Sequence, residues 1–300
     1  MSDRWAITKL QNHDLELAIL PGIGGRLWDV SYQGRSLLFQ NPDLVGLDVD
    51  ASDLSALPTK SPQFGFPLWG GEKTWIAPDT QWANAAPFPV LDSGAYQITA
   101  QQSDLVELVS AVCPQTNLSV TRRIVLTSET TWTIEHAVTN HGPAPRSTGI
   151  WSVMMIDTPA RIGVAMDTPE FYSVFGTAGT LVARRTGCVV ADCAEQREFK
   201  VGLPNQTGKT LITFGDDGPA MMCSVPKPSP NDRFAHQHPI EVFNSGDYPY
   251  CEAEWHAPLT EISPGKTQGF QQHFRMWSPD ILATADATIA EYKELLSCMS

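Results

Sequence analysis

The 300-residue chain is poor in positive charge: twenty Lys and Arg stand against thirty-three Asp and Glu, for a net charge of −13. A surface of that sign repels phosphate backbones and anionic lipid headgroups, so neither nucleic acid nor membrane is an expected partner. No apolar run approaches the ~18 residues that a membrane span requires. The start, Met1-Ser2-Asp3-Arg4-Trp5, shows no basic stretch followed by an apolar core, the pattern of a secretory leader. Six cysteines, Cys113, Cys188, Cys193, Cys223, Cys251 and Cys298, lack short paired spacing. The expectation is a cytoplasmic protein whose cysteines stay reduced and pack mostly as small apolar side chains.

Several catalytic signatures are missing or broken. No Gly-x-Ser-x-Gly elbow is present, which leaves serine hydrolase chemistry without support. Gly202-Leu203-Pro204-Asn205-Gln206-Thr207-Gly208-Lys209-Thr210 has five residues between its glycines where a phosphate-binding loop has four. It also leads into the strand-like Leu211–Phe214, so a hairpin turn is expected there. Leu27 stands where the third glycine of a dinucleotide fingerprint would follow Gly22, Gly24 and Gly25. Cys188 and Cys193 have no second pair to complete a zinc site. His236 and His238 would share one face of a strand, but no third ligand is evident nearby, and a polar loop is expected. Neither a metal nor a cofactor is predicted.

What the chain does have is apolar content, 42% of residues, and alternation. Period-two patterns predict strands at Leu15–Ile19, Leu27–Tyr32 and Ser36–Phe39, the last two around a tight Gln33-Gly34 turn. They then run as successive antiparallel strands through Tyr96–Gln101, Leu105–Val112, Leu118–Leu126, Trp132–Val138 and Thr148–Met155. Helical spacing is clear only in the tail, where Ile281, Ala285, Ile289, Tyr292 and Leu296 share a stripe behind Ser278-Pro279. No repeat or linker divides the chain. An all-β fold closed by a C-terminal helix is expected, as a single domain over residues 1–300.

Two segments carry chemistry. In Tyr250–Trp255, Glu252 and Glu254 point to one face of a strand while Cys251, Ala253 and Trp255 point to the other. Paired carboxylates on one face repel and resist desolvation, which suits a polyhydroxylated ligand better than a structural role. Ser263-Pro264-Gly265-Lys266 is a turn, and Phe270–Met276 is expected to pair beyond it as a hairpin partner. The second segment, Pro67 to Trp82, holds Trp69, Trp75 and Trp82 among Gly70-Gly71, Glu72, Lys73 and Gln81. Indoles stack on the C–H faces of sugars, amides and charges satisfy hydroxyls, and a glycine pair would let backbone approach a ligand.

Leu20-Pro21-Gly22-Ile23-Gly24-Gly25-Arg26-Leu27, Leu68-Trp69-Gly70-Gly71, Val120-Thr121-Arg122-Arg123, Val138-Thr139-Asn140 and Glu252-Ala253-Glu254 with Pro264-Gly265-Lys266 resemble, in order and spacing, the galactose mutarotase-like superfamily. The resemblance implies a β-supersandwich with a sugar cleft on one sheet face, and a small-molecule sugar or sugar derivative as partner. It implies Glu254 as catalytic base, with Glu252 as the competing alignment. Trp69 and Trp151 stand where aldose 1-epimerases place histidines. An indole donates a hydrogen bond but delivers no proton, so the acid has to come from elsewhere, with His236, His238, His256 and Lys200 as candidates. Trp69, Lys73, Trp75, Gln81, Trp151, Lys200 and His256 form the expected ligand-binding set. Two readings stay open: an aldose 1-epimerase-like isomerase, and a sugar binder or sensor without turnover.

Overall fold

Burial separates two kinds of strand. Thr131–Asn140 and Thr267–Trp277 alternate inward and outward along nearly their whole length, so each offers one apolar face. Glu72–Ala77 and Tyr250–His256 are buried at every position, so both of their faces are covered. The computed structural model describes residues 3–47, 54, 57, 61, 64–204, 207–279 and 290–299.

In chain order the strands are β1 (Thr8–Asn12), β2 (Leu15–Leu20), β3 (Arg26–Tyr32), β4 (Arg35–Ser36), β5 (Glu72–Ala77), β6 (Tyr96–Gln101) and β7 (Leu105–Ser110). Next come β8 (Leu118–Leu126), β9 (Thr131–Asn140), β10 (Arg146–Asp157), β11 (Arg161–Ala165), β12 (Tyr172–Gly176), β13 (Val182–Arg185) and β14 (Cys188–Asp192). The last are β15 (Phe199–Leu203), β16 (Lys209–Thr213), β17 (Ala220–Ser224), β18 (Ile240–Asn244), β19 (Tyr250–His256), β20 (Thr260–Ile262) and β21 (Thr267–Trp277). Two helices accompany them, the single turn α1 (Pro89–Asp92) and the C-terminal α2 (Ala290–Met299).

One sheet has the order β1-β2-β3-β5-β10-β19-β18-β15-β12, with β4 on β3 and β20 on β10; the other runs β13-β14-β11-β16-β17-β21-β9-β8-β7-β6. The pairings given by register are antiparallel throughout. Inward side chains such as Ile150, Ala253 and Trp255 from the first sheet meet Trp132, Ile134 and Phe274 from the second in one apolar cluster. The fold is therefore an all-β sandwich with a C-terminal helix, as alternation predicts.

Connectivity departs from the sequence expectation in three places. β6 to β9 follow one another in the second sheet, but β10 leaves it and pairs with β5 and β19. β19 and β21 form no hairpin: β21 lies between β17 and β9 in the opposite sheet. β15 and β16, on either side of the expected hairpin turn, form no hairpin, because β15 pairs with β12 and β18 while β16 pairs with β11 and β17 in the other sheet. Alternation reports which face is buried and carries no information on which sheet a strand joins.

The tail holds a further correction. Tyr292, Leu295 and Met299 of α2 pack against Cys188, Val190, Leu211 and Trp277. That docking brings Cys298 to Cys188, Cα atoms 6.3 Å apart, and the two form a disulfide; Cys113, Cys193, Cys223 and Cys251 are free and buried. Ile281, Ala285 and Ile289 lie outside the described residues.

Candidate functional site

The outward face of β5, β10, β19, β18 and β15 collects the ionisable groups. Register places Trp75 beside Trp151, Trp151 beside His256, and Glu241 beside Glu254. Because side chains alternate, Lys73 and Trp75, then Glu252 and Glu254, emerge on this one face. Lys73 Nζ bonds Glu252 Oε1 at 3.0 Å and lies 4.5 Å from the Trp75 ring centre. Lys200 Nζ reaches Glu254 Oε2 and Glu241 Oε2, each at 2.9 Å, and lies 4.9 Å from the Trp151 ring. Trp151 Nε1 donates to Glu254 Oε2 at 2.8 Å. Across the face, Trp75 Nε1 donates to Asp92 Oδ1 at 2.7 Å, a carboxylate that α1 presents to Arg26.

Above this floor is a pocket of about 180 Å³, walled by Phe66, Trp82 and Phe175 and floored by Trp75, Lys200 and Glu252. Trp82 stacks on Trp151, with ring centres 5.6 Å apart and planes at 17°. Pockets for drug-sized ligands span about 300–1,000 Å³, so this one suits a ligand of monosaccharide size.

The electrostatics are uneven. Burial, with Glu241 and Glu252 close by, pushes the Glu254 carboxyl up to about 7 against the pull of Lys200. Burial works against the Lys200 ammonium, but Glu254 and Glu241 hold it above the usual lysine range. Lys73 goes the other way: burial draws it below the usual range despite Glu252.

Beside the floor is a second cluster. His236 Nδ1 is 3.1 Å and His256 Nε2 is 3.3 Å from Glu241 Oε2. His236 Nε2 faces Asp79 Oδ1 at 3.4 Å. Among the described residues, His236, Glu241 and His256 are the group whose side chains could hold a metal ion. His236 is therefore joined by Glu241 of β18, only five residues on, and by His256 of β19, where the sequence reading paired it with His238 and saw no third ligand. His238 goes elsewhere, stacking on Tyr172 with ring centres 5.5 Å apart.

Of the predicted ligand-binding residues, Trp75, Trp151 and Lys200 line the pocket, and so does Glu252, the alternative catalytic carboxylate. Glu254 is fully enclosed behind Lys200 and Trp151, and Lys73 is buried beneath Trp75. His256 stacks on Trp151 at 5.2 Å without lining the pocket. Trp69 lies outside the pocket, packed with Leu20, Ile23, Trp28 and Leu44, its Nε1 bonded to Ser93 Oγ at 2.9 Å. Gln81 is exposed and bonds Arg146 and the Ser147 carbonyl. Gly70 and Gly71 serve the fold: both have positive φ, and a Cβ on either would run into the backbone of Phe39 or Leu27.

Sequence reasoning named Trp82 among the stacking indoles but left it out of the ligand set, and it missed Phe66 and Phe175 as pocket walls and Glu241 and Asp79 as charge partners. Glu241 had a signal. In Ile240–Asn244 it alternates with buried apolar residues as Glu252 and Glu254 do in β19.

No protein-family model matches the sequence, and no curated protein does. The fold is shared with solved structures at low identity. A candidate aldose 1-epimerase from Escherichia coli K12 is 14% identical over 91% of this chain and 99% of its own, with a TM-score of 0.58. A galactose mutarotase-like protein from Lactobacillus casei is 8% identical over 91% of this chain and 100% of its own, at 0.60. A galactose mutarotase-like protein from Clostridium acetobutylicum is 10% identical over 92% and 99%, at 0.54. The galactose mutarotase-like architecture expected from the short motifs is the one found.

Proposed function

We propose that this chain binds a sugar or sugar derivative in the Trp75–Trp82–Trp151 pocket and interconverts it by acid–base chemistry of the aldose 1-epimerase kind. One observation carries the reading: on the outward sheet face of a mutarotase-like fold, stacked indoles meet two lysine–glutamate pairs around a monosaccharide-sized pocket. Indoles cover C–H faces, while Glu252 and Lys200 accept from and donate to hydroxyls.

Opening the ring takes a base at the anomeric hydroxyl and a proton donor at the ring oxygen. Glu252 reaches the pocket directly. Glu254, with its carboxyl near 7, is poised to exchange a proton close to neutrality, once the side chains over it shift. Lys200 is the pocket's ammonium and stabilises the oxygen as its bond to carbon breaks.

A binder without turnover is the second reading, and a specific observation favours it. No imidazole lines the pocket, and Lys200 holds its proton more tightly than an ordinary lysine. The acid half of the reaction then lacks a ready donor.

Tryptophan fluorescence with neutral sugars, uronates and sugar phosphates finds the ligand, and polarimetry on each hit finds turnover. For a substrate, Glu254→Gln keeps the side-chain size and removes the proton acceptor, so turnover falls about 10²–10⁴-fold with affinity little changed. A ligand that quenches fluorescence but never mutarotates faster with protein makes the chain a binder. Absence of any quench across the panel ends the sugar reading.

A further inference from the structure

We propose that His236, His256 and Glu241 bind one divalent transition-metal ion of the zinc, cobalt or nickel class. The three ligand atoms, two imidazole nitrogens and a carboxylate oxygen, all lie within 4.8 Å of one another. Two ligands about 2.0–2.1 Å from a zinc ion and tetrahedrally disposed stand about 3.3–3.4 Å apart. The separations from Glu241 Oε2 are 3.1 Å to His236 Nδ1 and 3.3 Å to His256 Nε2, so only the imidazoles have to draw together.

The cluster's own bonding is incomplete. Lys200, His236 and His256 all crowd onto Glu241 Oε2. Glu241 Oε1 is buried with no partner, in a residue that is 0% exposed. A buried carboxylate oxygen left bare calls for a ligand. A metal ion beside Glu241 draws in that second oxygen as well.

Asp79 supplies the outer support. Its Oδ1 stands 3.4 Å from His236 Nε2, a buried nitrogen that makes no hydrogen bond as it stands, and a small shift on binding forms the carboxylate–imidazole pair that orients metal-bound histidines. Two nitrogens and one carboxylate select zinc, cobalt or nickel over magnesium or calcium, which prefer all-oxygen shells. The ion would tie the loop carrying His236 to β18 and β19 and leave Lys200 to Glu254. The inference is independent of the sugar reading, since none of the three ligands lines the pocket.

The test uses the full chain, stripped with a chelator and dialysed, then titrated calorimetrically with CoCl₂, ZnCl₂ and MgCl₂. Cobalt is also followed by its visible absorption. The expected result is one equivalent of Co²⁺ or Zn²⁺, a cobalt band at the same stoichiometry, and no Mg²⁺ uptake. His236→Gln and His256→Gln abolish binding, and Asp79→Asn weakens it about 10–100-fold. His13→Gln, at an exposed imidazole far along the sequence, leaves the stoichiometry at one. If a histidine variant fails to fold, the wild-type cobalt titration decides alone. Failure to take up one equivalent of cobalt, equal affinity for Mg²⁺, or binding undiminished in both folded histidine variants overturns the site. The cluster is then an imidazole–carboxylate ion pair satisfied by protons.

Discussion

Glu72 and Lys73 are neighbours in the chain and face opposite sides of the same sheet, and the two sides treat charge differently. Inside the sandwich, both oxygens of Glu72 are bonded, one to Arg122 and the other to Ser152 Oγ at 3.0 Å. His136 joins this cluster through Thr74 and Gln272, each bond 2.8 Å long. On the outward side, Glu241 and Glu254 each keep a buried oxygen with no partner. A buried polar network with its carboxylate fully bonded specifies a core. One with bare acceptors beside a pocket leaves room for a ligand. The same two strands, β5 and β10, thus carry a closed polar cluster on one face and an open one on the other.

Breaking the inner cluster has the largest expected effect. Arg122→Ala leaves the Glu72 carboxylate buried without its cation, both side chains being 0% exposed. Removing one partner of such a pair costs about 3–5 kcal/mol. Chemical denaturation should show that loss, with no gain from added ligand beyond ordinary mass action. A change below about 1 kcal/mol would mean that the inner cluster is not the stabilising one.

Acid separates the faces next. Burial draws His136 down from 6.5 to about 4, so the fold holds it neutral. Its folded value is depressed, so the stability it contributes is present above 6.5 and lost as pH falls through 4. The slope per group is at most about 1.4 kcal/mol per pH unit. The raised Glu254 carboxyl works the other way as pH falls below 7, so the total is no test; the difference in urea midpoint between wild type and His136→Gln isolates the imidazole and should change between pH 7 and 4. A difference that stays constant across the window contradicts the buried neutral imidazole.

The outer face yields to Trp82→Ala. Trp82 is half-buried, comes from the short turns after β5, and covers Trp151 from above. Losing that platform should weaken sugar binding by about 1–3 kcal/mol, by analogy with stacking on planar bases. Unchanged affinity by fluorescence titration would move the ligand off this pocket.

How much of this could be read from sequence follows the same division. Alternation exposes which side of a strand is wet, so Glu252, Glu254 and most strands were legible. Trp151 entered the expected site through the family resemblance, and Lys200 as a candidate acid, so neither was read from alternation. Sheet membership was not legible, because β10 and β21 pair with distant strands for reasons of packing that no local pattern records. α1 was invisible as well: four residues are too few for helical periodicity, yet they place Asp92 against Arg26 and Trp75. The cysteine pairing failed for the same reason. Cys188 and Cys298 are separated by 110 residues, and only the docking of α2 joins them.

Trp69 gives the smallest effect and the sharpest contrast, since sequence pattern alone puts it in the ligand set beside Trp75. Its ring is buried among Leu20, Ile23, Trp28 and Leu44, and Trp5 meets it edge-on at 6.0 Å. The indole N–H is spent on Ser93, whose hydroxyl in turn donates to Asp92 at 2.8 Å. Trp69→Phe keeps an aromatic ring in the cluster and removes that one hydrogen bond, so stability should drop by about 0.5–1.5 kcal/mol, plus a small packing loss. Sugar affinity should not change, because Trp75 still holds Asp92 through its own N–H at 2.7 Å. The paired measurement, denaturation and fluorescence titration on the same variant, tells core from site. If Trp69→Phe weakens the ligand as much as Trp82→Ala does, the indole reaches the ligand after all, and the boundary drawn between the two regions is in the wrong place.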